Sequence, residues 1–288
     1  MPAQSDVRRP LADKLADLHT SLSSLDGLVV AFSGGTDSAF VLAAAVRALG
    51  ADRVVAATAV SPSLPAVELS AAADFAQSLG VRHETPVTDE MSRDGYRANA
   101  GDRCYFCKAE LMDTLGPLAA RLGRGPVATG TNADDALAGF RPGIRAAGER
   151  GALTPLLDAG LTKAEVRTAS REWGLPTWDK PAAACLSSRV AFGIEITPGR
   201  LARVERAEAA ARELLVSAGI PVVNLRVRDL GDVARLEVDA EHVPAVAGRR
   251  EELAGAMSRA GFAALEVDER GFRSGGMNAL LADPERWR

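Results

Sequence analysis

The feature that most constrains this chain is an alternation of short apolar runs with helical stretches over its first half. Residues 28–32 (LVVAF) form a compact apolar run bounded by Gly27 and Ser33, and residues 38–49 read as an Ala-rich helix closed by Gly50. A second strand follows over 54–60, a helix over 64–79 ending at Gly80, and a third strand over 82–87. Such strand–helix repetition predicts a parallel sheet with helices on both of its faces. Upstream, Leu11, Leu15, Leu18 and Leu22 recur at helical spacing, which predicts a helix over 10–25. The alternation continues with a helix over 107–122, a strand over 126–130 and a helix over 163–173, the last opened by the capping pair Thr162 and Glu165. Pro176 and Pro181 bracket a segment that is not helical throughout.

Around Thr197 the texture changes. Residues 201–218 form a long amphipathic helix rich in Arg and Glu, followed by strands at 224–228 and 234–238 around a turn at 229–232, a helix at 243–260 and a strand at 264–267. This β-β-α-β arrangement needs its own core. The chain of 288 residues therefore divides into an α/β domain at 1–190 and a smaller C-terminal α+β domain at 191–288, with the boundary near 190–198.

Composition excludes several functions. No apolar run approaches the ~20 residues of a bilayer-spanning helix. Residues 1–25, with Arg8, Arg9, Lys14 and three acids, do not read as an export signal, so a soluble, cytoplasmic protein is expected. A net charge of −4 disfavours a nucleic-acid partner. His19, His83 and His242 have no ligand-like spacing and are read as surface or capping residues.

Three cysteines carry chemical potential: Cys104 and Cys107 form a C-x-x-C pair, and Cys185 stands alone in PAAACLSSR. An odd count in a cytosolic chain argues against structural disulfides and leaves metal binding or thiol chemistry. For the pair, half of a zinc site (with no fourth ligand in view), a redox couple and small buried hydrophobes all stay open. Tyr105 and Phe106 are read as core.

The string Ser33-Gly34-Gly35-Thr36-Asp37-Ser38 sits between the first strand and its helix, where open parallel sheets bind ligands. Its glycines let the backbone approach a ligand closely, and amides at the helix N-terminus favour an anion. Neither G-x-x-x-x-G-K-[ST] nor G-x-G-x-x-G is present. The loop resembles the PP-loop of the ATP pyrophosphatases. That likeness implies a Rossmann-like fold and a reaction in which ATP transfers AMP to a substrate and releases pyrophosphate, with Mg²⁺ balancing charge on the leaving group. Ser33, Gly34, Gly35, Asp37 and Ser38 are the implied nucleotide contacts.

Further strings span nearly the whole chain: RCYFCK, TGTNADD, RPG at 141–143, LTKAEVR, WDKPAAACLSSR, LRVR at 225–228, EV at 237–238 and GFRSGGMN. Together they resemble the LarE-type ATP-dependent sulfur transferases that build the nickel-pincer nucleotide of lactate racemase. The resemblance implies a pyridinium dicarboxylate mononucleotide substrate, whose carboxylates become thiocarboxylates after adenylation. Two sulfur sources are implied by different branches. In one, a cysteine matching Cys185 gives up its own sulfur and becomes dehydroalanine. In the other, three cysteines, here Cys104, Cys107 and Cys185, hold a [4Fe–4S] cluster that carries an extra sulfide. The count of three favours the cluster form.

Other residues enter with the resemblance. Arg226 and Arg228 lie two apart on a strand and so share a face, suited to a phosphate or carboxylate, although Arg–Val alternation is also what a plain amphipathic strand shows. Glu208 is implied in catalysis and Glu237 as a metal ligand. Arg273 is an anion contact, and Lys180 or Arg189 is the cation expected to hold the Cys185 thiolate. Asp134 and Asp135 serve the ribose, the pyrophosphate or a metal. Homo-oligomers are expected from the relatives. Rival readings are an amide-forming PP-loop ligase, a tRNA thiolase and an ATP-sensing module.

Overall fold

A computed structural model describes residues 9–137, 141–181, 184–273 and 275–277. The chain forms two compact units. One holds the described residues through Glu90 and those from Cys104 through 181; the other holds Met91–Arg103 and the described residues from Ala184 onward.

The first unit is built on a parallel sheet of β1 (Leu28–Ala31), β2 (Val54–Ala57), β3 (Arg82–Glu84) and β4 (Val127–Ala128), in the order β3-β2-β1-β4. β1 and β2 are buried at every position, as a parallel sheet covered on both faces requires. Their alternate side chains feed two cores. Leu28, Val30 and Phe32 pack with Phe40 and Leu42 of helix Thr36–Leu49, Phe75 of helix Ala66–Ser78 and Val166 of helix Lys163–Glu172. Val29, Ala31, Val55 and Ala57 pack on the other face with Met112, Leu115 and Leu118 of helix Arg103–Arg121. Each such buried side chain contributes roughly 1.5–3 kcal/mol of burial. The chain runs outward through β2 and β3 and then returns to place β4 on the far side of β1. The crevice beyond the carboxyl ends of β1 and β4 is therefore the topological switch point where such sheets bind ligands.

Two elements differ from expectation for local reasons. The second strand ends at Ala57 and not at residue 60, because Thr58 turns its hydroxyl onto the Phe32 carbonyl at 2.7 Å; Val60 rejoins through an isolated bridge to Val87. The helix expected from Cys107 begins at Arg103, so the C-x-x-C pair occupies its first turn.

The second unit carries β5 (Leu225–Asp229), β6 (Val233–Val238) and β7 (Ala264–Val267), with β5 antiparallel and β7 parallel to the central β6. Helix Pro198–Ser217 starts with the Thr197 hydroxyl accepting from the Arg200 amide at 3.2 Å. It buries Leu201, Val204, Ala207, Ala211 and Leu215, and helix Arg250–Ala260 buries Leu253, Ala256 and Met257. The helix expected over 243–260 is interrupted, with Val243–Ala247 and Arg250–Ala260 separated at Gly248.

Residues 91–103 join this unit through a buried polar network. Asn99 donates its amide to the carbonyls of Ala191 at 2.8 Å and Ile194 at 2.9 Å; Tyr96 meets the Ser187 hydroxyl at 2.5 Å; and Arg103 donates to the Ser187 carbonyl at 2.9 Å. These partners lie more than 80 residues apart in sequence. No local pattern announces them.

Candidate active site

At the carboxyl end of β1 the chain turns through Gly34, whose φ of +70° is in the left-handed region that glycine tolerates. Gly35 is the N-cap residue of helix Thr36–Leu49. Ser33 and Ser38 close the loop with hydroxyls 3.1 Å apart, and Ser38 also donates to the Gly35 carbonyl at 3.1 Å. Thr36 is tied to the Thr177 carbonyl at 2.8 Å. The loop therefore presents backbone amides at the positive end of a helix dipole on a braced scaffold, which is an anion cradle.

The strand next to it completes the wall. A Cβ on Gly130, just after β4, would lie 2.8 Å from the Ser38 amide nitrogen and 3.0 Å from the Asp37 carbonyl carbon. Only glycine lets the TGTNADD segment approach the loop this closely. Asn132 then organises the segment, its side-chain oxygen accepting from the amides of Asp134 at 3.0 Å and Asp135 at 3.2 Å. Asp134 accepts from the Lys163 amide at 2.8 Å, and Asp135 pairs with Arg141 of the RPG string at 3.2 Å.

Charge at the rim is specific. Lys163 Nζ holds Asp37 Oδ2 at 2.6 Å, while Asp37 Oδ1 is buried with no hydrogen-bond partner. Lys180 Nζ donates to the Gly34 carbonyl at 3.0 Å and pairs with Glu68 at 2.7 Å. Lys180 thus braces the phosphate loop. His83 also departs from expectation. It is half-buried, edge-on to Phe32, with Nε2 2.8 Å from the Thr58 hydroxyl, and burial lowers its pKa against the opposing pull of Glu84. The chain pattern gave no sign of Lys163 or His83 as neighbours of the loop; the only local signal was the capping box that fixes the Lys163 backbone.

Cys104 is exposed and Cys107 half-buried, one turn apart at the N-terminus of helix Arg103–Arg121 and so on one face of it. Burial lowers the pKa of the adjacent Lys108, and Cys107 and Cys104 act in the opposite direction. Tyr105 and Phe106, expected in the core, are only half-buried; Tyr105 hydrogen-bonds Glu149 at 2.5 Å beneath the guanidinium of Arg145.

In the second unit Cys185 precedes the short turn Leu186–Arg189. Its carbonyl accepts from the Ser188 hydroxyl at 2.7 Å and from Arg189 Nη1 at 2.9 Å. Arg189 also donates to the Ala184 carbonyl and to Glu208 at 3.0 Å. Glu208 accepts from the Val227 amide at 3.1 Å as well, which ties the Cys185 segment to β5. Arg228 forks onto Glu237 Oε2 at 2.9 and 2.7 Å. Arg226 lies over the Phe272 ring at 5.4 Å, and its pKa falls to about 10, first through burial and then through repulsion from Arg189, with Arg228 and Arg212 adding to it and Glu208 opposing.

Glu237, expected as a metal ligand, has its Oε2 engaged by Arg228. Arg273, half-exposed, pairs with Asp268 at 3.8 Å, while Ser274 and Asn278 of GFRSGGMN lie outside the described residues. Among the described residues no helix is long and apolar enough to cross a membrane.

Comparison with known proteins gives the following. The family described as NAD synthase matches residues 11–102. An uncharacterized protein of Synechocystis is 44% identical over 94% of this chain and 99% of its own length. Pyridinium-3,5-bisthiocarboxylic acid mononucleotide synthase of Lactiplantibacillus plantarum is 35% identical over 94% of this chain and 96% of its own length.

Proposed function

Because the chain belongs to the family of LarE-type ATP-dependent sulfur transferases, we propose that it adenylates a carboxylate of pyridinium-3,5-biscarboxylic acid mononucleotide and exchanges the activated oxygen for sulfur. The observation that carries this reading is the SGGTDS loop at the sheet's switch point, where it leads into a helix N-terminus suited to an anion and Asp37 Oδ1 is buried without a partner. A carboxylate oxygen of that kind fits Mg²⁺, which on binding neutralises charge on the departing pyrophosphate. Ser33, Gly34, Gly35 and Ser38 cradle the triphosphate. The substrate carboxylate attacks the α-phosphorus, the bond to pyrophosphate breaks, and an acyl-adenylate results. A carboxylate alone offers no leaving group; the mixed anhydride offers AMP.

The second unit supplies the substrate's phosphate contact. Arg226 is disfavoured as a buried cation among other cations, and an arriving phosphate removes that penalty while gaining a charge-assisted hydrogen bond. Arg189 and Glu208 position the Cys185 backbone and β5, with Glu208 acting through them.

The cysteines carry the sulfur chemistry. Cys104, Cys107 and Cys185 match in chemistry and number a set of three thiolates, and a [4Fe–4S] cluster so held leaves one iron able to carry a transferable sulfide. A second reading is that of the single-cysteine branch, with Cys185 as its own sulfur donor. In it the Cys185 thiolate attacks the acyl carbon and AMP leaves; a base then takes the Cα proton, the Cβ–S bond breaks, and dehydroalanine remains at 185. A homo-oligomeric cytoplasmic enzyme, with the second unit binding substrate and joining subunits, follows from the resemblance alone and is read by size-exclusion chromatography and localisation.

The test uses purified protein with Mg·ATP and the biscarboxylate nucleotide. Expected are stoichiometric pyrophosphate and AMP and a product heavier by the oxygen-to-sulfur difference; Cys185→Ser keeps pyrophosphate release and loses the sulfur product. Native-rate sulfur transfer by Cys185→Ser would falsify the reading. Iron and sulfide analysis of anaerobic protein, with mass spectrometry of residue 185 after turnover, separates the two sulfur sources.

A further inference from the structure

Asp37 lies in the first turn of the helix whose N-terminus receives the triphosphate. A carboxylate there suits the helix dipole but repels a polyphosphate unless a cation stands between them. In the described structure that cation is Lys163, 2.6 Å from Asp37 Oδ2, with Oδ1 buried and unpartnered beside it. The base of Lys163 is held in place. Its amide donates to Asp134 at 2.8 Å, and its helix is capped by the Thr162–Glu165 box. Glu165 is itself gripped by the fully buried Lys14 at 2.9 Å. The Lys163 side chain keeps about a third of its exposure (35%), so the fold anchors its backbone without enclosing its side chain.

Lys180 differs in kind. Its ammonium is committed to the Gly34 carbonyl and Glu68, and so braces the loop without reaching Asp37 as its partner. The two lysines divide the work: one shapes the cradle, the other occupies the metal's carboxylate.

We propose that Lys163 is a displaceable cation that occupies Asp37 in the nucleotide-free enzyme, excludes a divalent metal from the loop until ATP arrives, and then passes Asp37 to the metal and turns its ammonium to the triphosphate. This rests on the ATP-dependent reading above and adds an order of events to it. Metal enters with the nucleotide and not before it. The device keeps a bare Mg²⁺ from collapsing the loop onto Asp37, and the charge at that point stays balanced at each stage.

The experiment is a Mn²⁺ titration followed by electron paramagnetic resonance on the full-length protein without nucleotide, beside Mg·ATP binding by calorimetry. Lys163→Met is expected to bind Mn²⁺ roughly two- to fivefold more tightly than the unsubstituted protein in the absence of ATP, as loss of one competing ion pair predicts, and to bind Mg·ATP roughly tenfold more weakly. Lys163→Arg should restore weak nucleotide-free Mn²⁺ binding, and Asp37→Asn should abolish the gain in a Lys163→Met background. Unchanged or weaker Mn²⁺ binding by Lys163→Met overturns the proposal, as does a gain that survives Asp37→Asn. Failure of the unsubstituted protein to bind Mg·ATP at all would strike the ATP-dependent reading instead, so the two failures are distinguishable. Thermal unfolding of each variant confirms that a loss reports binding and not misfolding.

Discussion

On the proposed reading, the two units would hold an anion in opposite ways. In the first, backbone amides at a helix N-terminus would do the holding, and the side chains around them are small: Ser33, Ser38 and glycines at 34, 35 and 130. In the second, buried arginines would do it, with Arg189 paired to Glu208, Arg228 paired to Glu237, and Arg226 close to other guanidiniums. A backbone cradle depends on close approach and fails when a Cβ intrudes. A charge cluster depends on balance and fails when one partner is removed. The two sites therefore break by different substitutions and in different observables.

The largest effect is expected in the second unit. Glu237→Gln leaves the 6%-exposed Arg228 without its countercharge in a strand that also holds Arg226, and should cost roughly 3–5 kcal/mol in urea unfolding, partly recovered by phosphate in the buffer. An unchanged midpoint would show that charge balance does not hold this sheet. In the first unit, Gly130→Ala should cost roughly 1–3 kcal/mol in unfolding and lower pyrophosphate release about a hundredfold, because its Cβ would push the Ser38 amide that lies 2.8 Å away. Retained activity would mean that the loop can yield.

Smaller effects sharpen the contrast. Thr162→Ala removes the capping box and should cost about 1 kcal/mol of stability, with a weaker Mg·ATP affinity because the Lys163 backbone is freed. Least of all, the acid limb of stability should show Asp239. Burial acts to raise its pKa, but hydrogen bonds from the Asn224 side chain and from the Asn224 and Val223 amides hold it below the ordinary value of 3.8. Its contribution is thus present above the unfolded value and lost as pH falls through the folded one. Asp239→Asn should flatten that limb by under about 1 kcal/mol, read from urea midpoints between about pH 5 and pH 2.

Much of the first unit is legible in order along the chain. LVVAF is apolar throughout because both faces of β1 are covered, and SGGTDS is contiguous because the strand hands directly to the helix dipole. The C-terminal β-β-α-β order was equally plain from alternation and turns. Other features were not legible. Lys180 reads as a neighbour of Cys185, five residues away in sequence, yet its ammonium reaches Gly34 across 146 positions. The pairing of Arg228 with Glu237 on the adjacent strand is likewise not visible in the order of the residues. His83 reads as surface and sits against Phe32.

What the chain alone determined are the properties carried by near neighbours: strand or helix, the loop's glycines, the capping box and the family to which these strings belong. Those follow from backbone stereochemistry and short-range hydrogen bonding, which act over a few residues. The tertiary structure alone decided which charges meet. Segments distant in sequence had to be folded together before Lys163 could meet Asp37, or Arg103 and Tyr96 could meet Ser187. Electrostatic partnership depends on separation in space and on burial, and neither is written in the order of the residues.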